Sequence, residues 1–165
     1  MKKVMLLLVL AAAATWGIGS LRLGESGAMR FLVEMDSQMT EGNGENVCGM
    51  FHEDLQVEIS DHSGESTEEI SGGKQEFCEL TLAAAASLNV LPHTMNVEFT
   101  DVEAKRDWRH PWTSEISYLE NRSLTITGAN VTVRTVSEDR ITLVHTFSGV
   151  KLRKISSEVY KADAT

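Results

Sequence analysis

The sequence predicts an α+β domain, with N-terminal helices packed on a curved antiparallel sheet. Three observations carry this. Within residues 47–60 the apolar period drops from about 3.6 to 2: Val47, Met50 and Phe51 sit at helical spacing, then Leu55, Val57 and Ile59 alternate with polar residues. A second helical pattern follows, entered through Ser71-Gly-Gly73 and stopped by Pro92. Beyond Pro92 every apolar pattern alternates, so helices and strands are segregated along the chain.

The first segment is a leader. Lys2 and Lys3 precede an apolar run over residues 4–19, with small residues from Ala11 onward. This reads as a secretory signal peptide over residues 1–20, or as an N-terminal membrane anchor of the same extent. The run is slightly short for a spanning helix of about 17–25 residues, and both Ala12-Ala13-Ala14 and Gly17-Ile18-Gly19 offer small-residue cleavage sites. In either case the expectation is export to the periplasm, either soluble or tethered to the inner membrane. Residues 21–27 read as a linker, 28–160 as the domain and 161–165 as a tail.

Ala28, Phe31, Leu32, Met35 and Met39 form one apolar stripe, and Gly42 and Gly44 end that helix. A short helix is expected over residues 46–53 and a strand over 55–60. Residues 61–64 (DHSG) are turn chemistry, and a second short strand is expected near Glu68 to Ile70. Gly73 is placed as an N-cap, with Glu76 reaching back to a free amide. Phe77, Leu80, Ala84, Leu88 and Leu91 then form the expected inner face of the long helix.

In the β half, Met95, Val97 and Phe99 alternate, and the phase then shifts to Val102 and Ala104. That shift predicts a bulge near Thr100 and Asp101. Residues 107–113 (DWRHPWT) form a loop, and Ile116, Tyr118, Leu124 and Ile126 mark one or two strand pieces. Turns are expected at residues 128–130 and 137–139. Ile141, Leu143, His145 and Phe147 share one strand face, and a last strand is expected over residues 150–159.

Charge and composition exclude several functions. Removing Lys2 and Lys3 takes the formal charge from −9 to −11, which opposes a nucleic-acid backbone and gives little to an anionic membrane. The membrane is therefore expected to be met only through the N-terminal segment. Cys48 and Cys78 are the only cysteines, and in an oxidising compartment they form either a disulfide or two buried thiols. No His or Cys spacing marks a metal site, and neither a phosphate loop nor a Gly-x-Ser-x-Gly elbow is present, so no cofactor is expected.

The order of elements, the helix bearing Phe31, Leu32, Met35 and Asp36, the run VCGMFHEDLQVEIS and the entry SGGKQEF together resemble the nuclear-transport-factor-2-like family. This family is a cystatin-like α+β cone that includes SnoaL-like cyclases and ketosteroid isomerases. The resemblance implies a cone-shaped cavity and, by common family habit, a homodimer through the convex sheet face. Isomerase chemistry is disfavoured: Ile59 stands near the expected base and the first helix has no Tyr. For a SnoaL-like cyclase, dehydratase or isomerase the candidate acid/base groups are His145 and Asp61. The plainer readings are a hydrogen-bonded core histidine and a solvated turn aspartate. Trp108, His110, Trp112 and Tyr118 are the candidate ligand- or partner-binding residues, with a loop folded over the cavity mouth as the plainer reading for the indoles. Three functions remain open: binding of a small apolar molecule or a protein partner without catalysis, SnoaL-like catalysis, and an envelope assembly scaffold.

Overall fold

The computed structural model describes residues 22–90, 92–107, 109–128 and 131–162; the expected leader, Leu91 and Trp108 lie outside them. The elements run α1 (Glu25–Thr40), α2 (Gly44–Gly49), β1 (Phe51–Asp61), β2 (Glu68–Gly72), α3 (Lys74–Val90), β3 (His93–Lys105), β4 (Thr113–Ile126), β5 (Val131–Thr146) and β6 (Gly149–Lys161). They build one six-stranded sheet in the order β2-β1-β6-β5-β4-β3. Every neighbouring pair is antiparallel except β1 and β6, which run parallel, so the sheet is mixed rather than purely antiparallel.

Helix α1 buries Ala28, Phe31 and Leu32, with Met35 and Met39 packed beside them. It starts at Glu25, ahead of the first residue of the apolar stripe. Gly27 allows the chain to double back there, because a Cβ at this position would lie 2.2 Å from the Arg22 carbonyl oxygen. At the other end Gly42 takes φ +74°, the left-handed conformation that terminates a helix at low cost with glycine.

The second helix and first strand correct the expectation. The helix ends at Gly49, and Phe51 to Glu53, expected to be helical, belong to β1. The backbone is drawn into the sheet early because Leu152 N–H donates to the Met50 carbonyl at 2.9 Å and Phe51 sits opposite Leu152. A register shift between Phe51 and Gln56 absorbs the change of direction.

Glu76 caps α3 as expected, accepting from Gly73 N–H at 3.0 Å. The buried face of α3 is rotated from the expected one: Thr81 and Ala85 are buried, and Leu80 and Ala84 are exposed. The cause is close packing on α2. A Cβ on Gly44 would come within 3.0 Å of the Ala85 methyl and 3.3 Å of Leu82 Cδ2, so α3 turns the Ala85 side, not the Leu80 and Ala84 side, to α2. The Cys48–Cys78 pair is a disulfide with Cα atoms 5.3 Å apart, joining α2 to the first turn of α3.

The bulge in β3 falls where expected, with Asp101 at φ 52° and the register shifted between Thr100 and Glu103. Strand β4 is one continuous strand. The turn expected at residues 137–139 does not exist: β5 passes through it, pairing Ser137 with Glu120 and Val159, and Asp139 with Tyr118 and Ser157. Polar side chains there are tolerated because Ser137 Oγ donates to the Asp139 carboxylate at 2.7 Å. Phe147, expected on the inner face, lies in the β5–β6 turn and is fully exposed.

Candidate functional site

Strand register sets the inner face of the sheet as successive rows. The lowest apolar row is Phe51, Leu152 and Leu143, and above it lies Val57, Ile155, Ile141 and Ile116. All but Ile155, which packs beside them, are buried core residues. The next row is Ile59, Ser157, Asp139 and Tyr118, and above that stand Asp61, Val159, Ser137, Glu120 and Phe99. The inner face thus turns from apolar to polar along its length.

Over the polar rows α1 and α3 leave a cavity of about 170 Å³. Its apolar wall includes Leu32, Met35, Met39, Phe51, Phe77 and Phe99, and its polar wall is Asp36, Glu120 and Arg122. Helix α1 delivers Asp36 because it lies four residues after Leu32 and one after Met35, at the edge of the buried stripe. Strand β4 delivers Glu120 and Arg122 because they share the parity of Ile116 and Tyr118.

Arg122 Nε donates to Glu120 Oε1 at 2.7 Å, while its Nη2 stays 3.9 Å from Asp36 Oδ1. Asp36 Oδ1 is buried and has no hydrogen-bond donor among the described residues. Burial raises the Asp36 pKa; Arg122 opposes the rise and Glu120 adds to it. Beneath the cavity, burial also raises Asp139, against the lowering effect of hydrogen bonds from Ser157 and Ser137. Tyr118 is held well above its ordinary value by burial and then by the Asp139 and Glu120 charges. Its ring meets Phe99 edge-on, with centroids 5.7 Å apart.

The Asp139 shift predicts a pH dependence. The folded carboxyl holds its proton above the ordinary value of 3.8, where the unfolded chain has already released it. This group's contribution to stability therefore falls as pH rises from near 3.8 through the folded pKa. Asp139→Asn keeps an acceptor and a donor for the two serines and removes the buried charge. It is expected to raise stability at pH 7 by on the order of 1 kcal/mol and to flatten the acid side of the profile. Urea unfolding of both proteins between pH 4 and 8 measures it.

The residues singled out in the sequence are scattered over the molecule. Asp61 ends β1 and accepts from Ser63 N–H at 2.8 Å; its hydrogen bonds with Ser63 lower its pKa. His145 is half-buried at the opposite end of the sheet, with Nε2 3.2 Å from Arg22 Nη1. A guanidinium only donates, so Nε2 is the acceptor in this contact. Trp112 packs against that imidazole at 5.8 Å and His110 is exposed in the preceding turn. None of Asp61, His110, Trp112 and His145 lines the cavity, and Tyr118 lies in the core beside it. Among the described residues no three His, Cys, Asp or Glu side chains gather in metal-binding geometry. Sequence reading missed Asp36, Glu120 and Arg122 as a site; the available signal was charge at inward parity on β4.

The chain has the nuclear-transport-factor-2-like fold. A candidate scytalone dehydratase from Novosphingobium aromaticivorans superimposes with a TM-score of 0.63 at 10% identity, covering 92% of this chain and 90% of that one. A candidate dehydratase of the NTF2-like family from Streptomyces avermitilis gives 0.50 at 16% identity, covering 78% and 88%. The β subunit of benzoate 1,2-dioxygenase from Burkholderia mallei gives 0.62 at 9% identity, covering 81% and 89%. No protein-family model matches the sequence, and no curated protein matches it. At these identities the likeness establishes the fold, which elsewhere serves both enzymes and an enzyme subunit.

Proposed function

We propose that this is an exported envelope domain that holds a small apolar molecule carrying one hydrogen-bond donor, and that it binds the molecule without transforming it. One observation carries the reading: an apolar cavity whose polar wall presents a buried carboxylate oxygen on Asp36 to which no described residue donates a hydrogen bond. A buried acceptor without a donor is costly, and a ligand hydroxyl or amine supplies the missing donor. The neighbouring cation does not, because Arg122 Nη2 stands 3.9 Å from Asp36 Oδ1, an ion pair beyond hydrogen-bond reach. A cavity of about 150 Å³ takes a benzene-sized molecule, so the fitting class is a single-ring phenol, alcohol or amine. The Cys48–Cys78 disulfide and the apolar N-terminal sequence support the oxidising, exported setting.

A second reading is catalytic. Tyr118 and Asp139 are register partners beneath the cavity; burial raises the Asp139 carboxyl, which suits a proton donor, and keeps Tyr118 protonated as a hydrogen-bond donor. It ranks second because neither residue lines the cavity wall.

The test is native mass spectrometry of the chain recovered from the cell envelope, followed by thermal shifts with single-ring phenols and amines. A retained small mass is expected, and Asp36→Leu is expected to weaken its retention by at least about tenfold. The substitution removes a carboxylate that burial penalises and that Arg122 meets only at 3.9 Å, so the variant should fold as well as the parent. An empty cavity with no thermal shift from any of these compounds defeats the binding reading. Turnover that depends on Tyr118 or Asp139 establishes the catalytic one.

A further inference from the structure

The charges in the cavity wall do not cancel. Arg122 lies between two carboxylates: its Nε donates to Glu120 Oε1 at 2.7 Å, and its Nη2 stands 3.9 Å from Asp36 Oδ1. Among the described residues that line the cavity, these three carry all the charge, so the wall holds one negative charge in excess. Exposure deepens the imbalance. The Arg122 side chain is 39% exposed, against 23% for Asp36 and 15% for Glu120, so water screens the guanidinium more than either carboxylate. Burial raises the Asp36 pKa, Arg122 lowers it and Glu120 raises it again, so the guanidinium does not offset what burial and the second carboxylate impose.

The apolar part of the wall suits a cation as well. Phe51, Phe77 and Phe99 line the same space. Phe51 and Phe77 lie with ring centroids 5.2 Å apart, and Phe99 is packed edge-on with Tyr118. An aromatic ring attracts a cation through its quadrupole, more strongly where water is excluded. A ligand hydroxyl would give Asp36 Oδ1 its missing donor but leave the excess charge buried. An ammonium supplies the donor and the charge together. An anion would meet two carboxylates at close range.

We infer that the ligand of this cavity is a small primary amine bound as its ammonium. The nitrogen donates to Asp36 Oδ1, and the apolar body lies among the Phe51, Phe77 and Phe99 side chains. This narrows the ligand class proposed above and rests on that binding reading. The cavity of about 170 Å³ limits the body to a single ring with a short arm. Arg122 holds the excess at one charge, so a monocation brings the wall to neutrality and a second positive group has no counterpart.

Titration calorimetry of the full chain with benzylamine and with benzyl alcohol tests the inference. The two probes share a ring and an arm and differ in charge, since an alkylamine is protonated at pH 7. Benzylamine is expected to bind at least about tenfold tighter. Asp36→Asn and Glu120→Gln keep the side-chain shapes and each removes the excess charge, so each is expected to abolish most of the preference. The ratio of the two affinities is the readout, because a loss of packing would act on both probes alike. Benzyl alcohol binding as tightly as benzylamine, or tighter, overturns the inference and leaves the binding reading standing. If neither probe binds, both fall. A preference for benzylamine that survives both substitutions puts the ammonium elsewhere on this acidic chain and overturns the inference.

Discussion

Replacing Cys48 and Cys78 together by alanine is expected to lower the unfolding free energy by about 3–4 kcal/mol. The bond spans a sequence separation of 30 residues, so its loss releases a long loop in the unfolded chain. The folded state has little to offset this. Helix α3 buries only Thr81 and Ala85 and meets α2 at Gly44 through Ala85 and a partly exposed Leu82, leaving Leu80 in solvent. The disulfide, with the Phe51–Phe77 ring contact, therefore holds the first turn of α3 in place. Since α3 supplies Phe77 and Thr81 to the cavity, ligand retention should fall with stability. Urea unfolding of the parent with and without reductant, beside the double variant, measures the effect. Equal midpoints in all three would show that the bond contributes nothing.

Phe51→Ala is expected to cost about 3–5 kcal/mol, the range for removing a buried aromatic ring from a core. Phe51 is 2% exposed, faces Leu152 across the parallel strand pair, and packs on Phe77 with centroids 5.2 Å apart. The vacated space opens into the cavity, so, on the binding proposed above, the substitution has a second signature: the preferred ligand should become larger. Phe51→Leu retains most of the buried volume and should lose less stability. Denaturant unfolding gives the first effect, and a ligand-size series followed by thermal shift gives the second. A loss below 1 kcal/mol would mean that the neighbouring side chains collapse into the space.

The part of the fold written in local chemistry was legible. Glu76 reaching back to Gly73, the glycine at 42 and the phase shift before Val102 each specify a backbone event within a few residues, and each occurs where expected. What failed depended on distant partners. Phe51 satisfies a helical spacing with Val47 as well as a strand spacing with Leu55, and Leu152, a hundred residues away, decides between them. Ser137-Glu-Asp139 has turn composition, yet Tyr118 and Ser157 on flanking strands hold it extended. The rotated face of α3 followed from the width of the gap at Gly44, which no periodicity in α3 contains.

The cavity was less legible than the fold because its polar wall comes from two separate elements. Asp36 reads as the hydrophilic border of an amphipathic helix, and Glu120 and Arg122 read as a surface pair on a strand. Only β4–β5 register shows that Arg122 faces Thr135 on the same inner side as Tyr118. His145, on an apolar strand face, lies instead at the opposite end of the sheet from Asp61, beside Arg22.

The place of β6 governs the order in which the molecule can assemble. This strand lies between β1 and β5, so the β1–β2 hairpin and the β3–β5 meander have no edge in common until it arrives. The contact that joins the halves links Phe51 to Leu152 and Asp61 to Val159 across about a hundred residues. Closing so long a loop precedes any reward from pairing, which makes late, comparatively slow closure the natural kinetics of this topology. A chain emerging from a translocation channel, N-terminus first, would stay open until nearly its whole length had crossed. Its two incomplete sheet edges, and the strand that seals them, would meet only on the far side.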